Sequence, residues 1–298
     1  MLFRSGSATS SSFNAVTATG LGDVASISAG YRATCAILNT GAASCWGRSN
    51  QQGNGARGAP VLVSGISGAS ALSANTGGCA VTAGSVKCWG SGRYGQLGNG
   101  GVGDSAVPVA VTGVTTATAV SSGARHSCAR LANGTVQCWG ENSFGGLGNA
   151  SALGFSAVPV TVTGISTATA VSVGYRHTCA VLVGGSVQCW GLANSGQLGV
   201  TVGTSTSTPQ VVPGISTATG IAAGDSFTCA LLSGGGVQCW GDNTSAQLGS
   251  GTTSAGGITR VNVASVTSAT AITAGGTYAC ALLTNQTRSE ERRVGKEC

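Results

Sequence analysis

The apolar positions of this chain come in short runs of Val, Ile, Ala and Thr, and Gly, Ser or Asn interrupt them at close intervals. One stretch reads TGISTATAVSVG (163 to 174), the next reads GYRHTCAVL (174 to 182), and SVQCWG follows (186 to 191). The runs are rich in β-formers, and none keeps a helical apolar period over about ten residues. The 51 glycines fall mostly at turn positions. The pattern therefore predicts short β-strands and no long helix.

This order of segments returns five times, and each copy contains the tripeptide Cys-Trp-Gly. All five tryptophans lie in it, at Trp46, Trp89, Trp139, Trp190 and Trp240, which are 43, 50, 51 and 50 residues apart. A fixed period of this length is typical of an array of similar units, and their in-register tryptophans are expected in the core. About four strands per unit make each copy a propeller blade. We predict an all-β protein, an incomplete β-propeller arc of about five to six four-stranded blades.

Ten of the twelve cysteines fall into pairs that flank one turn each: Cys35 with Cys45, Cys79 with Cys88, Cys128 with Cys138, Cys179 with Cys189, and Cys229 with Cys239. The second pair has a shorter turn, Ala83-Gly84 instead of a turn like Ala132-Asn133-Gly134, which keeps the two cysteines opposed. Opposed residues of antiparallel strands lie within disulfide range. The alternative is that buried thiols pack as small hydrophobic groups. Zinc is disfavoured, since the chain has no Cys-x-x-Cys and only two histidines.

Charge is sparse in this chain, at 7% of residues with a net charge of +6. Without a cluster of Lys and Arg, nucleic-acid binding is not expected. No apolar stretch reaches the roughly 18 residues of a membrane span. Disulfide pairs indicate an oxidising compartment, so we expect an extracellular or cell-surface protein. Because MLFRSGSATSSS is not a secretory signal, the true N-terminus and signal peptide are expected to be missing. No cofactor or metal is expected.

The two ends of the chain differ from the repeats. RSEERRVGKEC (288 to 298) is highly charged and resembles a translated sequencing adapter, and MLFRS (1 to 5) resembles the opposite adapter. We expect one truncated propeller domain at 6 to 287, with two tails that add no strand in register. Without the tails the net charge is +4. Cys280 would then begin a sixth pair whose second member, near position 290, is not part of the natural segment, and Cys298 would be accidental.

Five segments together carry a family resemblance: CWGENSFGGLG (138 to 148), CWGLANSGQLG (189 to 199), CWGDNTSAQLG (239 to 249), GARHSCARL (123 to 131) and GYRHTCAVL (174 to 182). They resemble the regulator-of-chromosome-condensation repeat, whose signature includes Gly-x-x-His. The resemblance covers nearly all of residues 6 to 287 and implies a β-propeller, commonly of seven blades. This chain has five complete motifs and the leading half of a sixth, so we expect an incomplete ring.

The chain departs from the family pattern at several points. Ala33, Phe227 and Tyr278 replace the signature His, and the first repeat is shortened to CWGRSNQQGNG, without Gly-Gln-Leu-Gly. The family's best-known activity, nucleotide exchange on a small GTPase, relies on an extended wedge that projects from the propeller. Complete periods of 50 or 51 residues leave no room for such an insertion, so the exchange residues are not transferred to this chain.

The variant with paired cysteines looks more like bacterial extracellular propellers of this class, some of which are binding proteins, including a secreted β-lactamase inhibitor. We therefore predict a non-catalytic extracellular scaffold that binds a protein or glycan partner. The alternative is an intracellular exchange or regulatory factor for a small GTPase. The redox state of the cysteines separates the two, because disulfides persist only in the first setting.

Few residues are candidates for catalysis. The resemblance implies that His126 and His177 are structural and tie the blade turn, and no Ser-His-acid arrangement accompanies them. The acids of the natural segment are Asp23, Asp104, Glu141, Asp225 and Asp242. Glu141 and Asp242 share one repeat position, which puts them on separate blades and disfavours an acid–base pair.

The variable segments are the better candidates for binding. Four loops occupy one topological position and are expected on one face: 99 to 107, 149 to 157, 200 to 208 and 250 to 258. A second set lies in the turns before the signature position: Tyr31, Arg32, Arg125, Tyr175, Arg176 and Asp225. Tyr and Arg are favoured at interface hot spots. The alternative is that they are ordinary solvated turn residues.

Overall fold

The fold is described by a computed structural model, which places residues 18, 20–31, 33–47, 59–253, 256–284 and 288–290. Within these ranges the secondary structure consists of β-strands and turns, and no helix is present. Five four-stranded antiparallel sheets and one three-stranded sheet follow one another along the chain. Each sheet is one blade, so the prediction of an all-β propeller with about five to six blades is confirmed.

Each blade is a meander in which consecutive strands are neighbours. Blade 1 contains β1 (Val24–Ala29), β2 (Ala33–Leu38), β3 (Ala43–Gly47) and β4 (Val61–Leu62). Blade 2 contains β5 (Ala69–Ala74), β6 (Gly77–Thr82), β7 (Ser85–Gly90) and β8 (Ser105–Ala110). Blade 3 contains β9 (Ala117–Ser122), β10 (His126–Leu131), β11 (Val136–Glu141) and β12 (Phe155–Thr161). Blade 4 contains β13 (Ala168–Val173), β14 (His177–Leu182), β15 (Val187–Leu192) and β16 (Ser205–Val211).

The last two blades follow the same order. Blade 5 contains β17 (Ala218–Ala223), β18 (Phe227–Leu232), β19 (Val237–Gly241) and β20 (Gly257–Asn262). Blade 6 contains β21 (Ala269–Ala274), β22 (Ala279–Leu283) and β23 (Arg288–Glu290). The strands form two compact units. Unit 1 contains β1 to β10 and nearly all of β11 and β12, and unit 2 contains the loop 142–154 and β13 to β23.

The paired cysteines lie on the second and third strands of blades 1 to 5, and in blades 1, 2, 4 and 5 they are directly opposed in the antiparallel register. All five pairs form disulfides with Cα–Cα distances of 4.0–4.1 Å. In chain order, Cys35 is bonded to Cys45, Cys79 to Cys88, Cys128 to Cys138, Cys179 to Cys189, and Cys229 to Cys239. The disulfide prediction is therefore confirmed, and the alternative of buried thiols does not apply to this structure.

The disulfides are part of the core of each blade and not of its surface. Every one of the ten cysteines is at most 3% exposed, and Cys45 and Cys138, on the third strands of blades 1 and 3, are 0% exposed. Cys45 packs with Ile37 and Trp89 in the core between blades 1 and 2. The cysteines singled out in the sequence are consequently structural residues, and a partner cannot reach them in the folded blades.

The turn of blade 2 shows how the register survives a change in loop length. Thr82 pairs with Ser85, which leaves the predicted two-residue turn Ala83-Gly84 between β6 and β7. Both residues have positive φ, 48° and 79°, as a tight hairpin turn of primed type requires. Cys79 consequently remains opposite Cys88.

The outer strands carry a residue that protects their free edge. The third-strand cysteine of a blade pairs with a residue of the outer strand, and we compare the residue just before that partner. In blades 1 to 5 this residue is Pro60, Pro108, Pro159, Pro209 and Arg260. Proline has no N–H to offer a further strand, and a charged residue at an edge also opposes pairing. Lateral addition of a strand to these edges is therefore disfavoured.

The C-terminal segment corrects one expectation. Arg288–Glu290 form β23 and pair in register with β22, so the prediction that this tail adds no strand in register is wrong for these residues. A third strand needs only backbone hydrogen bonds, which most sequences can supply after a hairpin turn. Cys280 lies opposite Glu290, the position predicted for the missing cysteine. The other tail, residues 1 to 5, lies outside the described residues.

Replacing both Cys179 and Cys189 by alanine should lower the free energy of unfolding by about 2–3 kcal/mol, because the disulfide closes a loop of about ten residues in the unfolded chain. Urea unfolding under non-reducing conditions measures the change. As a control, full reduction of the unfolded chains should remove all remaining disulfides from both the unchanged protein and the variant. Identical midpoints for the oxidised proteins would contradict the prediction.

Candidate functional site

Each blade has two distinct ends, because successive turns of a meander alternate between them. We call the end with the first turn and the loop between the third and fourth strands the loop end. The opposite end, with the second turn and the linker to the next blade, is the turn end. The predicted loops contain the first residues of the outer strands, for example Phe155 of β12 and Ser205 of β16. The true loops of blades 3 and 4 are therefore 142–154 and 193–204.

The two ends differ in chemistry. The second turns and the linkers of blades 1 to 5, for example 162–167 and 183–186, contain no aromatic or charged residue. The loop ends carry most of the described charges and several aromatic rings: Tyr31, Arg93, Tyr94, Asp104, Arg125, Glu141, Phe144, Tyr175, Arg176, Asp225 and Asp242. Side chains that can recognise a partner are therefore concentrated at the loop ends.

Arg125, in the first turn of blade 3, lies in a stack at the loop end of unit 1. Its guanidinium lies 4.6 Å from the centre of the Tyr94 ring, which belongs to the loop of blade 2. Its Nη1 donates to Glu141 Oε1 at 3.2 Å. The ring and the carboxylate together fix the direction of the arginine side chain.

Arg176 forms the equivalent stack in unit 2. Its guanidinium lies 4.6 Å from the centre of the Phe144 ring and 5.3 Å from that of Tyr175. The predicted pair Tyr175 and Arg176 is thus brought together, whereas Tyr31 is 70% exposed in the first turn of blade 1 and Asp225 lies in the first turn of blade 5. Arg32 lies outside the described residues.

Tyr94 and Phe144 were missed in the sequence, although a signal was present. Both precede a glycine in the Gly-x-Leu-Gly loop, and the next repeat then carries an arginine in its first turn. In two later loops a serine, Ser195 or Ser245, replaces the aromatic residue. The first turn of the repeat that follows then has Ser226 or Thr277 in place of the arginine. The aromatic residue and the arginine occur together because they touch across neighbouring blades.

Buried amides hold two of the loops. Asn142, 5% exposed, donates from Nδ2 to the carbonyls of Ser151 (3.2 Å) and Leu153 (3.0 Å). Its Oδ1 accepts from the N–H of Leu147, and its own N–H donates to the Gly154 carbonyl at 2.7 Å. Asn243 holds the loop of blade 5 in the same way. These loops are ordered by contacts within themselves.

The predicted acids also serve within single loops or turns. Asp104 accepts from the N–H of Gly92 at 2.9 Å, and Asp242 accepts from the N–H of Thr244 and from Gln247 Nε2. Burial raises the pKa of Asp225. Among the described residues, no group of three or more His, Cys, Asp or Glu side chains could hold a metal ion.

His177 belongs to a buried chain of hydrogen bonds between blades 4 and 5. Its Nε2 lies 2.9 Å from Thr228 Oγ1, and this hydroxyl donates to the Gln197 carbonyl at 2.9 Å. A hydroxyl has one proton to give, so it accepts from the histidine, which places the ring proton on Nε2. Nδ1 has no partner among the described residues, and burial lowers the pKa of His177 to about 4.

The Gly-x-x-His signature reflects close packing. A Cβ atom on Gly174 would collide with the His177 ring, and one on Gly224 would collide with the Phe227 ring. An imidazole and a phenyl ring thus occupy the same place in successive blades. His126 is also buried, at 1% exposure. These contacts favour the structural role expected for both histidines.

Three of the tryptophans bond their blade to the loop of the blade before it. The indole N–H groups of Trp139, Trp190 and Trp240 donate at 2.9 Å to the backbone carbonyls of Gln96, Gly146 and Gln197. All five tryptophan side chains are at most 1% exposed. The contact explains why Trp and the Gly-x-Leu-Gly loop recur together.

Two models of one repeat match the sequence, both described as the regulator of chromosome condensation (RCC1) repeat. One matches residues 24–54, 117–145, 168–197 and 218–247, and the other matches 83–130, 133–181 and 184–231. Together they cover well over half of the chain. The chain belongs to the RCC1 repeat family.

Solved structures with RCC1 repeats show the same fold at low identity. The structure of Kap60 bound to yeast RCC1 (Prp20) has a TM-score of 0.77 at 18% identity, over 90% of this chain and 69% of that chain. Prp20p from Saccharomyces cerevisiae, described with its binding to Gsp1p and histones, has a TM-score of 0.73 at 19% identity, over 89% and 70%.

A plant receptor is a more distant structural relative of this RCC1-repeat chain. The CRINKLY WD40 ectodomain of the Arabidopsis thaliana receptor kinase ACR4 has a TM-score of 0.55 at 19% identity, over 91% of this chain and 82% of that chain. No curated protein matches the chain significantly in sequence. None of the described residues belongs to a helix that could cross a membrane.

Proposed function

We propose that this RCC1-repeat chain is a non-catalytic, extracellular binding scaffold that contacts a protein or glycan partner through the loop ends of its blades. The observation that carries the proposal is that different positions of each repeat serve the internal packing and the surface. The recurring Trp, Cys and Gly-x-x-His positions are used in internal contacts, whereas most charged and aromatic groups lie at the loop ends, in the first turns and in the loops. Variable loops on a rigid frame are a common basis for binding.

The extracellular setting is supported by the five disulfides. Each disulfide is buried and cross-links two strands of its blade, so its sulfur atoms are not accessible from solvent. Structural disulfides of this kind are typical of secreted proteins and rare in reducing compartments. Mapping of non-reduced peptides from natively produced protein should find the five local links. Alkylatable thiols at these positions would argue against the location.

Guanine-nucleotide exchange is the second candidate, because yeast RCC1 shares the fold. The loops of blades 2 to 4 run over 91–104, 142–154 and 193–204, and this range of the chain contains no longer connection between strands. A projecting wedge therefore has no counterpart within residues 59–241. We expect the chain not to accelerate GDP release from a small GTPase, and acceleration would favour this second function.

A loop replacement tests the binding role. Residues 149–154 and 200–204 are exchanged together for Gly/Ser segments of equal length, and ligands are first selected on the unchanged chain from a displayed random-peptide library and a glycan array. Val200 and Val202 are kept, because they pack against the core of blade 4. We expect binding to fall at least about tenfold, with the urea midpoint nearly unchanged, since the other residues of these loops contribute little to the core. Asn142 is kept so that the base of the loop stays ordered.

Val183→Ser is the matched control for this test. Val183 is 70% exposed and lies at the turn end of blade 4, where no contact is proposed. Binding should be the same as for the unchanged chain. Ligands that bind the loop-replaced protein with full affinity would refute the proposed role of the loops.

A further inference from the structure

The loop 142–154 of unit 2 displays an apolar side chain on a rigid support. Leu153 is 72% exposed, the highest exposed fraction among the large hydrophobic side chains of the described residues. Its own carbonyl accepts from Asn142 at 3.0 Å. The Ala150 N–H donates to the Ser207 carbonyl of β16 at 3.0 Å, which attaches the loop to blade 4. The side chain is therefore held in solvent by an ordered backbone and not by a loose loop.

Rigid display matters for binding energy. Burying a leucine side chain against a partner removes apolar surface from water and so favours binding. A mobile loop loses part of that gain when it becomes ordered, whereas a loop already fixed by Asn142 and Ser207 loses little. The position of Leu153 is thus suited to insertion into an apolar pocket.

The stacked aromatic rings of Phe144 and Tyr175 are poorly suited to sugar recognition. Sugar rings stack on bare aromatic faces, but the Arg176 guanidinium lies over the rings of Phe144 and Tyr175. The same holds in unit 1, where Arg125 lies over Tyr94. The buried amide of Asn142, which could otherwise bind hydroxyl groups, is used within its own loop. What this loop offers to solvent at its tip is aliphatic.

We propose that the partner is a protein and that Leu153, which lies in the same loop as Phe144, is the main residue that enters an apolar pocket of that protein. The inference rests on the proposed binding function. It reduces the possible partners from a protein or a glycan to a protein. Aromatic residues and Arg, which this loop end also carries, are enriched at protein interfaces, in which a few residues carry most of the affinity.

The test uses the full chain and the same two probes, the displayed random-peptide library and the glycan array. Peptides selected on the unchanged chain should contain apolar side chains and should bind Leu153→Ser at least about tenfold more weakly. Leu153→Met should keep most of the affinity, because it preserves an apolar side chain of similar volume. Val183→Ser, which removes an equally exposed apolar group at the turn end, should have no effect.

The outcomes separate this inference from the proposed function. If replacing the loops abolishes binding but Leu153→Ser does not, the loops bind and Leu153 is not the anchor. If glycans bind and peptides do not, or if no selected peptide depends on Leu153, the assignment of a protein partner is overturned. Binding that survives the loop replacement contradicts the proposed function itself.

Discussion

Trp240→Ala should lower the free energy of unfolding by about 3–5 kcal/mol, the range expected when a large aromatic side chain is removed from a core. Trp240 belongs to blade 5 but packs in the core of blade 4, together with Leu198, Val212 and the Cys179–Cys189 disulfide. It is 0% exposed, so its removal leaves a cavity between two blades. The loss is measured from urea unfolding curves followed by circular dichroism.

Two further variants show whether the effect comes from packing. Trp240→Phe keeps a ring but loses the N–H that donates to the Gln197 carbonyl. Thr228 Oγ1 also donates to that carbonyl, so it stays satisfied and the loss should be clearly smaller than with alanine. Val183→Ser, on the surface, should change stability by less than about 0.5 kcal/mol. If Trp240→Ala is as stable as the unchanged protein, the assignment of Trp240 to the core is contradicted.

Acidification from pH 6.5 to 4 should cost about 3 kcal/mol of stability through His177 alone. Burial lowers the pKa of His177 to about 4 in the folded protein, compared with 6.5 for the ordinary group. Between these values the unfolded chain binds a proton that the folded chain does not. The contribution of this residue is therefore complete above pH 6.5 and is lost as the pH falls to about 4. A protonated ring would also place a new Nδ1–H donor where no partner is present among the described residues.

The chain supplies its own control for the acid experiment. Phe227 occupies the His177 position in blade 5, with Gly224 against its ring as Gly174 is against the imidazole. His177→Phe should therefore fold and should lose this part of the pH dependence. It also removes the hydrogen bond to Thr228. This loss lowers the stability by the same amount at every pH above 6.5.

The other charged residues on the turns near His177 are Arg176 and Asp225. Asp225 works in the opposite direction, because burial raises its pKa, so the folded state gains relative stability as the pH falls through that value. The difference between the unchanged protein and His177→Phe removes the Asp225 contribution. If the two proteins show parallel stability curves from pH 7 to 4, His177 is not the source of acid sensitivity.

The sequence by itself determined the blade. Strand order, the two-residue turn Ala83-Gly84 and the five disulfide pairs all depend on residues close together in the chain, where alternation and turn length decide the register. Repetition supplied the blade number, since the same local pattern returns with each Cys-Trp-Gly. The first turns with Tyr175 and Arg176, which we propose to be binding residues, could be placed for the same reason.

Only the tertiary structure decided which residues of neighbouring blades meet. Trp240 and the Gln197 carbonyl are 43 residues apart, and His177 and Thr228 are 51 apart, so no local pattern relates them. The Phe144–Arg176 stack and the rigid display of Leu153 likewise depend on how a loop rests against the next blade. Side-chain partners across blades are set by the packing of one sheet on another, which the order of residues within each blade does not encode.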